Sequence, residues 1–257
     1  MTQYVLITGG SNGIGKEFAK LFSAAGFNLV IAARDKDLLS SVAQELETKY
    51  KNTVVSIALD LSEAGAAQKL FDEVTKKNIQ IEILVNNAGF GSGGKFWEID
   101  AQKETEEIHL NILTVTMLCK LFVPQMIERK SGKILNVSSI AAFLPGPLMA
   151  VYYASKAYVL SFSNALREEL AGTGVSVTTL CPRQTGTNFA NRAGVTKAKS
   201  FRSHLLTPQQ VAKAGFDGLM NEKAIVFSDL STRILAFCLR FVPYAVAAGL
   251  AKQTNQS

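Results

Sequence analysis

The chain has only three cysteines in 257 residues, Cys119, Cys181 and Cys238. They are odd in number, far apart and set in apolar segments, so they read as buried thiols and argue against both a disulfide framework and a metal cluster. Runs of lysine and arginine are lacking as well. The net charge of +6 is spread over the whole length without interleaved aromatics. That pattern speaks against a nucleic-acid surface and suits an anionic cofactor or substrate. Tyr4-Val5-Leu6-Ile7 already reads as a strand, which leaves no room for a secretory leader and predicts a cytoplasmic chain. No Ser/Gly/Pro-rich linker, repeat or low-complexity tract divides the sequence, so a single domain over 1–257 is expected.

What is present is alternation. Apolar runs at Tyr4 to Thr8, Asn28 to Ala33, Val54 to Leu59, Ile81 to Asn86, Lys133 to Ser138, Val175 to Cys181 and Ala224 to Phe227 read as seven strands. Amphipathic stretches separate the first six, and this predicts an α/β fold, a doubly wound parallel sheet with helices on both faces. Near-continuous runs such as Ile81-Glu82-Ile83-Leu84-Val85 fit strands covered on both sides. Ligands on such a sheet bind beyond the strand C-termini, where the strand order reverses.

The first strand ends in Thr8-Gly9-Gly10-Ser11-Asn12-Gly13-Ile14-Gly15, followed by a helical pattern. Glycines there allow a tight turn and let backbone N–H groups reach a pyrophosphate, while the helix N-terminus attracts the anion. The spacing departs from G-x-G-x-x-G, and a purely structural turn is the competing reading. No Lys-Ser/Thr follows the glycines, which argues against a P-loop. The second strand ends in Ala33-Arg34-Asp35. Arg34 suits a 2′-phosphate and favours NADP(H), whereas Asp35 shifted by one residue would hold a ribose and favour NAD(H). Arg34 as a solvated residue of the next helix is the plain alternative. Asp60 lies where an adenine edge would pass, or caps the next helix.

Asn86-Asn87-Ala88-Gly89 end the fourth strand, where buried amides can tie strands together and line a crevice. The glycine-rich Phe90 to Lys95 reads as a mobile loop. In the long helix expected from Ala101 to Arg129, Asn111 interrupts an apolar stretch and must bond a neighbouring backbone or hold water. His109 reads as a partly buried or surface histidine. In a helix expected from Ala150 to Ala171, Tyr152 and Lys156 are four residues apart and share a face. A cation beside a phenol favours the phenolate, which would make Tyr152 a proton shuttle. Taken alone, such a pair is ordinary surface decoration.

Taken together and in order, the Thr8 to Gly15 turn, Asp60, Asn86 to Gly89, Asn111, Ser139, Tyr152 with Lys156, and Pro182 leading to Thr187 resemble the short-chain dehydrogenase/reductase family over residues 3 to about 190. The resemblance implies a seven-stranded Rossmann-type sheet and hydride transfer between a nicotinamide cofactor and a carbonyl or alcohol. It implies that Tyr152 moves the proton, Lys156 binds the ribose and lowers the tyrosine pKa, Ser139 bonds the substrate oxygen, and Asn111 holds a relay water. The cofactor would lie along Gly9, Ser11, Asn12, Gly13, Ile14, Gly15, Arg34, Asp60, Asn87, Ala88, Gly89, Pro182 and Thr187, with no metal. Tyr153 and Ser138 are the neighbours that the family spacing passes over. Family members commonly form homodimers or homotetramers through the helices that carry Asn111 and Tyr152.

Arg183 departs from the pattern, because the family usually has glycine directly after the proline. The segment 188–206 has no clear periodicity, carries Arg192, Lys197, Lys199, Arg202 and His204, and reads as a substrate lid. Its charges form either a solvated face or an attraction for an acidic substrate group or thioester carrier. The apolar tail 231–251 is broken by Arg240 and Pro243, so it falls short of a membrane span. Two short helices covering the substrate pocket or a subunit interface are the first expectation, and peripheral contact with a membrane surface is the second. A pocket walled by the tail would imply a lipophilic substrate. A catalytically silent nucleotide sensor or scaffold is the rival reading, which the intact Ser139, Tyr152 and Lys156 disfavour.

Overall fold

The structure is a computed structural model that describes residues 3–195, 198 and 205–256. Strands β1 (Tyr4–Thr8), β2 (Asn28–Ala33), β3 (Val54–Ala58), β4 (Ile81–Asn86), β5 (Gly132–Val137), β6 (Val175–Cys181) and β7 (Ile225–Phe227) form one parallel sheet in the order β3-β2-β1-β4-β5-β6-β7. All seven expected strands are present. β3 stops one residue early, β5 is displaced by one residue, and β7 starts one residue late. The order reverses between β1 and β4, so a crevice opens beyond their C-terminal ends.

Alternate strand residues face opposite layers. Val5, Ile7, Leu29, Ile31 and Val85 pack against α1 (Gly13–Ala24), α2 (Lys36–Tyr50) and α8 (Pro208–Met220), through side chains such as Phe18, Phe22, Leu39 and Val211. Leu6, Val30, Leu84, Ile134 and Val177 pack against the other layer, which includes Leu70 and Val74 of α3 (Ala66–Lys76) and Leu118 and Phe122 of α5 (Val115–Arg129). The stretch Ala101–Arg129 is long and apolar enough to cross a membrane, but its Leu118, Cys119, Phe122 and Met126 are built into this core.

The single helix expected there is interrupted. α4 (Ala101–Ile108) passes into a π-helical turn, His109–Thr114, before α5 resumes. Such a wide turn commonly marks a functional position, and it carries Asn111. α6 spans Ala150–Glu169, two residues shorter than expected. The glycine-rich 90–95 loop is tied down rather than free: Gly93 N–H donates to the Ala193 carbonyl at 2.8 Å and Gly94 N–H to that of Leu148 at 2.9 Å. Cys119 and Cys181 are buried as expected, but Cys238 is exposed, because it lies on the outward side of a tail helix.

Polar groups also cross the core. Asn86 Nδ2 donates to Asn136 Oδ1 at 2.8 Å, joining β4 to β5, and Asn136 Nδ2 donates to the Ser163 hydroxyl on α6 at 2.9 Å. Replacing Asn136 removes two buried hydrogen bonds, each costing about 1–2 kcal/mol, and leaves Asn86 Nδ2 with only the long contact to Cys119 Sγ and Ser163 with only its bond to the Val159 carbonyl. Asn136→Ala is therefore expected to lower the unfolding free energy by about 2–4 kcal/mol, measured by urea denaturation.

Candidate active site

The glycine turn is shaped by its backbone. Gly9 (φ +70°) and Gly13 (φ +54°) occupy the left-handed region, and a Cβ on Gly15 would stand 2.1 Å from the Gly9 carbonyl oxygen. Asn12, which precedes α1, makes no side-chain cap hydrogen bond, and the first turn of α1 has no acidic residue. The N-terminus of α1 is therefore a positive end without a capping anion of its own, which fits a pyrophosphate. A cavity of about 360 Å³ begins here and is lined by Gly9, Ser11, Asn12, Gly13, Ile14, Arg34, Asp60, Asn87, Ala88, Gly89, Ser139, Tyr152, Lys156, Pro182 and Thr187. The shape and charge of this groove fit a dinucleotide, and the predicted cofactor set comes together except for Gly15, which sits beneath the turn. Asn111 lies behind the wall.

At the far end, Asp35 caps α2 by accepting from Leu38 N–H at 3.0 Å. The helix thus uses the carboxylate that was the alternative ribose ligand. Arg34 lies 54% exposed at the rim, 3.4 Å from Asp60. Asp60 does not cap α3. It accepts from both the backbone N–H and the hydroxyl of Ser62, at 2.9 and 2.6 Å. Burial pushes the Asp60 pKa up, but the Ser62 hydrogen bonds and the Arg34 charge outweigh it and leave the carboxyl lowered.

The switch point is clasped. The Thr8 hydroxyl accepts from the N–H groups of Asn87 and Ala88, both at 3.0 Å, while Asn87 Nδ2 donates to the Thr8 carbonyl at 2.9 Å. Asn111, one of the two alternatives open from the sequence, bonds backbone: its Nδ2 donates to the Phe90 carbonyl at 2.9 Å and its Oδ1 accepts from Phe90 N–H at 3.3 Å. The same Nδ2 donates to the Ser155 hydroxyl at 3.0 Å, so the π-helical turn is fastened to α6. His109 is partly buried, as expected.

Ser139, Tyr152 and Lys156 meet on one wall of the cavity. Ser139 stands two residues past β5, where its oxygen accepts from Ala141 N–H at 3.1 Å and opens a 3-10 turn over Ile140–Phe143. Ser138 points the other way and donates to the Lys156 carbonyl at 2.7 Å, fixing α6 to the sheet. Tyr153 also leaves the chemistry to its neighbour, since its hydroxyl donates to Asn255 Oδ1 at 3.2 Å.

The electrostatics differ from the expected amine-activated phenol. Lys156 Nζ donates to the Val137 carbonyl at 3.0 Å and lies 5.7 Å from the centroid of the Tyr152 ring. Burial pushes the Tyr152 pKa up; Ser139 offsets part of this, while Tyr153 and Glu107 add to it. Burial likewise brings Lys156 down to about 8, against the opposing charges of Glu107 and Cys181. Desolvation wins here because both groups lie in the low-dielectric floor of the cleft. In this state the phenol keeps its proton at neutral pH.

Arg183 lines the cavity and also reaches the tail. Its backbone N–H donates to Ser228 Oγ at 3.3 Å and its guanidinium to Ser231 Oγ at 3.4 Å, which joins the loop after β6 to the start of α9 (Leu230–Leu239). In the expected lid, α7 spans Phe189–Ala193 and Phe189 packs on Tyr152 with ring centroids 5.0 Å apart. Lys197, Lys199, Arg202 and His204 lie outside the described residues. The tail forms the two expected helices, α9 and α10 (Tyr244–Asn255). Its apolar side chains face outward rather than walling the cavity; Phe237 is 61% and Phe241 73% exposed. Only Asn255 of α10 reaches the rim. The apolar wall is made instead by residues such as Ile140, Met149 and Phe189.

Sequence reasoning missed Glu107, which reads as one more acid on a solvated helix face. It is fully buried, and burial raises its pKa to about 7 against the opposing influence of nearby Ser92 and Lys156. Its spacing four residues before Asn111 was the available signal, since that interval puts both on one helical face.

A family model described as short chain dehydrogenase matches residues 3–198. The human very-long-chain 3-oxoacyl-CoA reductase is 34% identical over 194 residues, which cover 73% of this chain and 61% of that protein. A probable oxidoreductase, EphD, of Mycobacterium bovis is 34% identical over 191 residues, covering 74% of this chain and 32% of its own. This chain therefore spans less than two thirds of the length of these curated relatives. Among solved structures, a short-chain dehydrogenase from Sphingobium yanoikuyae in complex with NADPH aligns with a TM-score of 0.84 at 29% identity, over 96% of this chain and 98% of that one. A short chain dehydrogenase/reductase from Burkholderia phymatum in complex with NAD aligns with a TM-score of 0.84 at 25% identity, over 100% and 97%.

The buried Glu107 carboxyl has a measurable consequence. Because its folded-state pKa is raised from 4.5 to about 7, its contribution to stability is fully present below 4.5 and is lost as pH rises through about 7. Thermal unfolding across this range should show a decline in wild-type stability that is shallower in Glu107→Gln.

Proposed function

The chain belongs to the short-chain dehydrogenase family, and from that premise we propose that it is a nicotinamide-dependent oxidoreductase moving a hydride between NADP(H) and a lipophilic carbonyl or alcohol. The observation that carries this reading is the meeting of Ser139, Tyr152 and Lys156 on one wall of a cavity that also reaches the glycine turn and Arg34. Bound along that groove, the nicotinamide supplies the hydride. The Tyr152 hydroxyl then gives its proton to the oxygen that becomes negative, with Ser139 donating a hydrogen bond to the same oxygen. Tyr152 is protonated at neutral pH in this state and so stands ready as the acid for reduction, while the reverse direction would need the same oxygen to accept the proton. Lys156 holds positive charge beneath the ring and is placed to bind the ribose. An intact triad gives no support to a catalytically silent sensor.

NADP(H) is favoured over NAD(H) because Arg34 stands at the rim while Asp35 is engaged as a helix cap. A 2′-phosphate would gain a charge-assisted contact from the guanidinium. A lipophilic substrate is supported by Ile140, Met149 and Phe189 in the cavity wall, and by a human relative named for very-long-chain 3-oxoacyl-CoA. Turnover of a panel of ketones and 3-oxoacyl thioesters with NADPH and with NADH tests this. Tyr152→Phe should lose at least about 100-fold in kcat, Tyr153→Phe should stay within a few-fold, and Arg34→Ala should narrow the preference for NADPH about 10-fold or more. Equal losses in the two tyrosine variants contradict the assignment.

For partners, Leu113, Met117 and Tyr158 are exposed on the face that carries the π-helical turn, α5 and α6, which supports a homodimer or homotetramer through those helices. The tail supports contact with a membrane surface, in a protein we propose to be cytoplasmic. Leu230, Ile234, Leu235, Phe237, Phe241, Tyr244, Val246 and Leu250 are each at least 50% exposed. From residue 230 onward the charged side chains are Arg233, Arg240 and Lys252, with no acid among them. An apolar face flanked by cations suits an anionic lipid surface. Sedimentation with phosphatidylserine vesicles should pull down the wild-type protein, and Phe237→Ser/Phe241→Ser should weaken this markedly; equal binding by both removes the membrane reading.

A further inference from the structure

The tail helix α10 touches the cavity through one side chain that the chemistry described above does not use. Ala247, Ala251 and Asn255 recur every four residues and are all buried, so they form the inward face of that helix. The two alanines let α10 lie close to the body, and the third position brings an amide to the cavity wall. Both ends of the amide are engaged. Its Nδ2 donates to the Pro147 carbonyl at 3.1 Å, and its Oδ1 accepts from the Tyr153 hydroxyl at 3.2 Å. The loop reached by the first bond, 144–149, is poor in donors of its own, because Pro145 and Pro147 have no N–H. Leu148 within it is held at φ +70°, a conformation that is costly for a leucine and persists only where the surroundings impose it.

We propose that Asn255 is a specificity-determining residue, a clamp that fixes the 144–149 loop against α6 and so sets how far Met149 closes the substrate end of the cavity. The constraints on the loop come from outside it. The Leu148 carbonyl accepts from Gly94 N–H at 2.9 Å, and the Tyr153 ring lies so close on Gly146 that no Cβ would fit there. Asn255 joins the two sides of this arrangement, since it holds the tip of the Tyr153 side chain and the loop carbonyl at once. Met149, which ends the loop, packs in one cluster with Tyr152, Tyr153 and Phe189 and lines the cavity. With the clamp closed, the wall beside Tyr152 is compact and rigid. With it open, the strain at Leu148 relaxes and the wall yields to a bulkier ketone. The tail turns its large apolar residues outward, yet it governs the size of the pocket through a single amide.

The effect on substrate choice rests on the oxidoreductase reading, but the clamp does not, and two measurements separate them. Backbone amide hydrogen exchange followed by NMR needs no substrate. In wild type the Gly94 amide should be protected by its bond to Leu148. In Asn255→Ala, and in Asn255→Asp, which keeps an acceptor for Tyr153 but loses the donor to Pro147, the Gly94 and Met149 amides should exchange at least about 10-fold faster while those of β4 and β5 keep their rates. An unprotected Gly94 in wild type overturns the proposal even if neither variant folds. Unchanged rates in the folded variants, or an acceleration spread evenly over the sheet, overturn it as well. With ketones that the wild type reduces, Asn255→Ala should raise kcat/KM for a bulky ketone relative to a compact one at least about 5-fold, mainly through KM; an unmoved ratio overturns the proposal. If no ketone is reduced, the functional reading fails while hydrogen exchange still decides the clamp.

Discussion

The clasp between Thr8 and the Asn87-Ala88 backbone is the interaction on which the rest of the site depends. It closes the ends of β1 and β4 at the point where the strand order reverses, and a parallel sheet opens its ligand crevice at that point. With those two strand ends fixed, the glycine turn stands on one side and the loop that leads to Asn111 on the other. The Asn86–Asn136–Ser163 chain extends the same polar ordering into β5 and α6. Ser138 then binds the Lys156 carbonyl, so the helix bearing Tyr152 and Lys156 is held to the sheet by its own backbone.

The floor of the site is governed by desolvation. Tyr152, Lys156, Glu107 and Cys181 are all pushed towards their neutral forms by burial, opposed in part by hydrogen bonds from Ser139, Ser92 and Ser138 and, for Lys156, by the charges of Glu107 and Cys181. A neutral phenol suits proton donation to a carbonyl that is being reduced, and Lys156 beneath its ring suits a ribose hydroxyl. The tail adds a separate theme. α9 and α10 turn small or polar buried residues such as Ala236, Ala247 and Ala251 towards the body and leave their large apolar residues outside. They remain linked to the cavity through Arg183 with Ser231, and Asn255 with Tyr153.

The alternation of strand-length runs made the sheet legible from the sequence, with boundaries within one residue, because a covered parallel sheet imposes continuous apolar runs. The gathering of Ser139, Tyr152 and Lys156 was legible through spacing and family resemblance. What escaped depends on contacts between distant parts of the chain. From the sequence Asp35 was the alternative ribose ligand and Asp60 either a neighbour of the adenine edge or a helix cap, and only the bonds from Leu38 and Ser62 show how each carboxylate is used. The π-helical turn has no local signature beyond a misplaced Asn111. Glu107 lies among solvated acids, and only the packing of α4 against α6 shows it to be sealed. For the tail, composition gives apolarity without direction, so pocket cover, subunit interface and membrane contact stayed open until the exposure of Phe237 and Phe241 showed that it does not wall the cavity.

The central claim is that the Tyr152 hydroxyl stands where a nicotinamide delivers hydride. A crystal structure with NADPH bound tests it most directly. The account predicts the pyridine ring in the cavity between Ser139 and Thr187, leaving room for a carbonyl whose carbon lies about 3–3.5 Å from the hydride-bearing carbon and whose oxygen reaches Tyr152. A pyridine ring lying away from Tyr152, or a phenol turned out of the cavity, would contradict it.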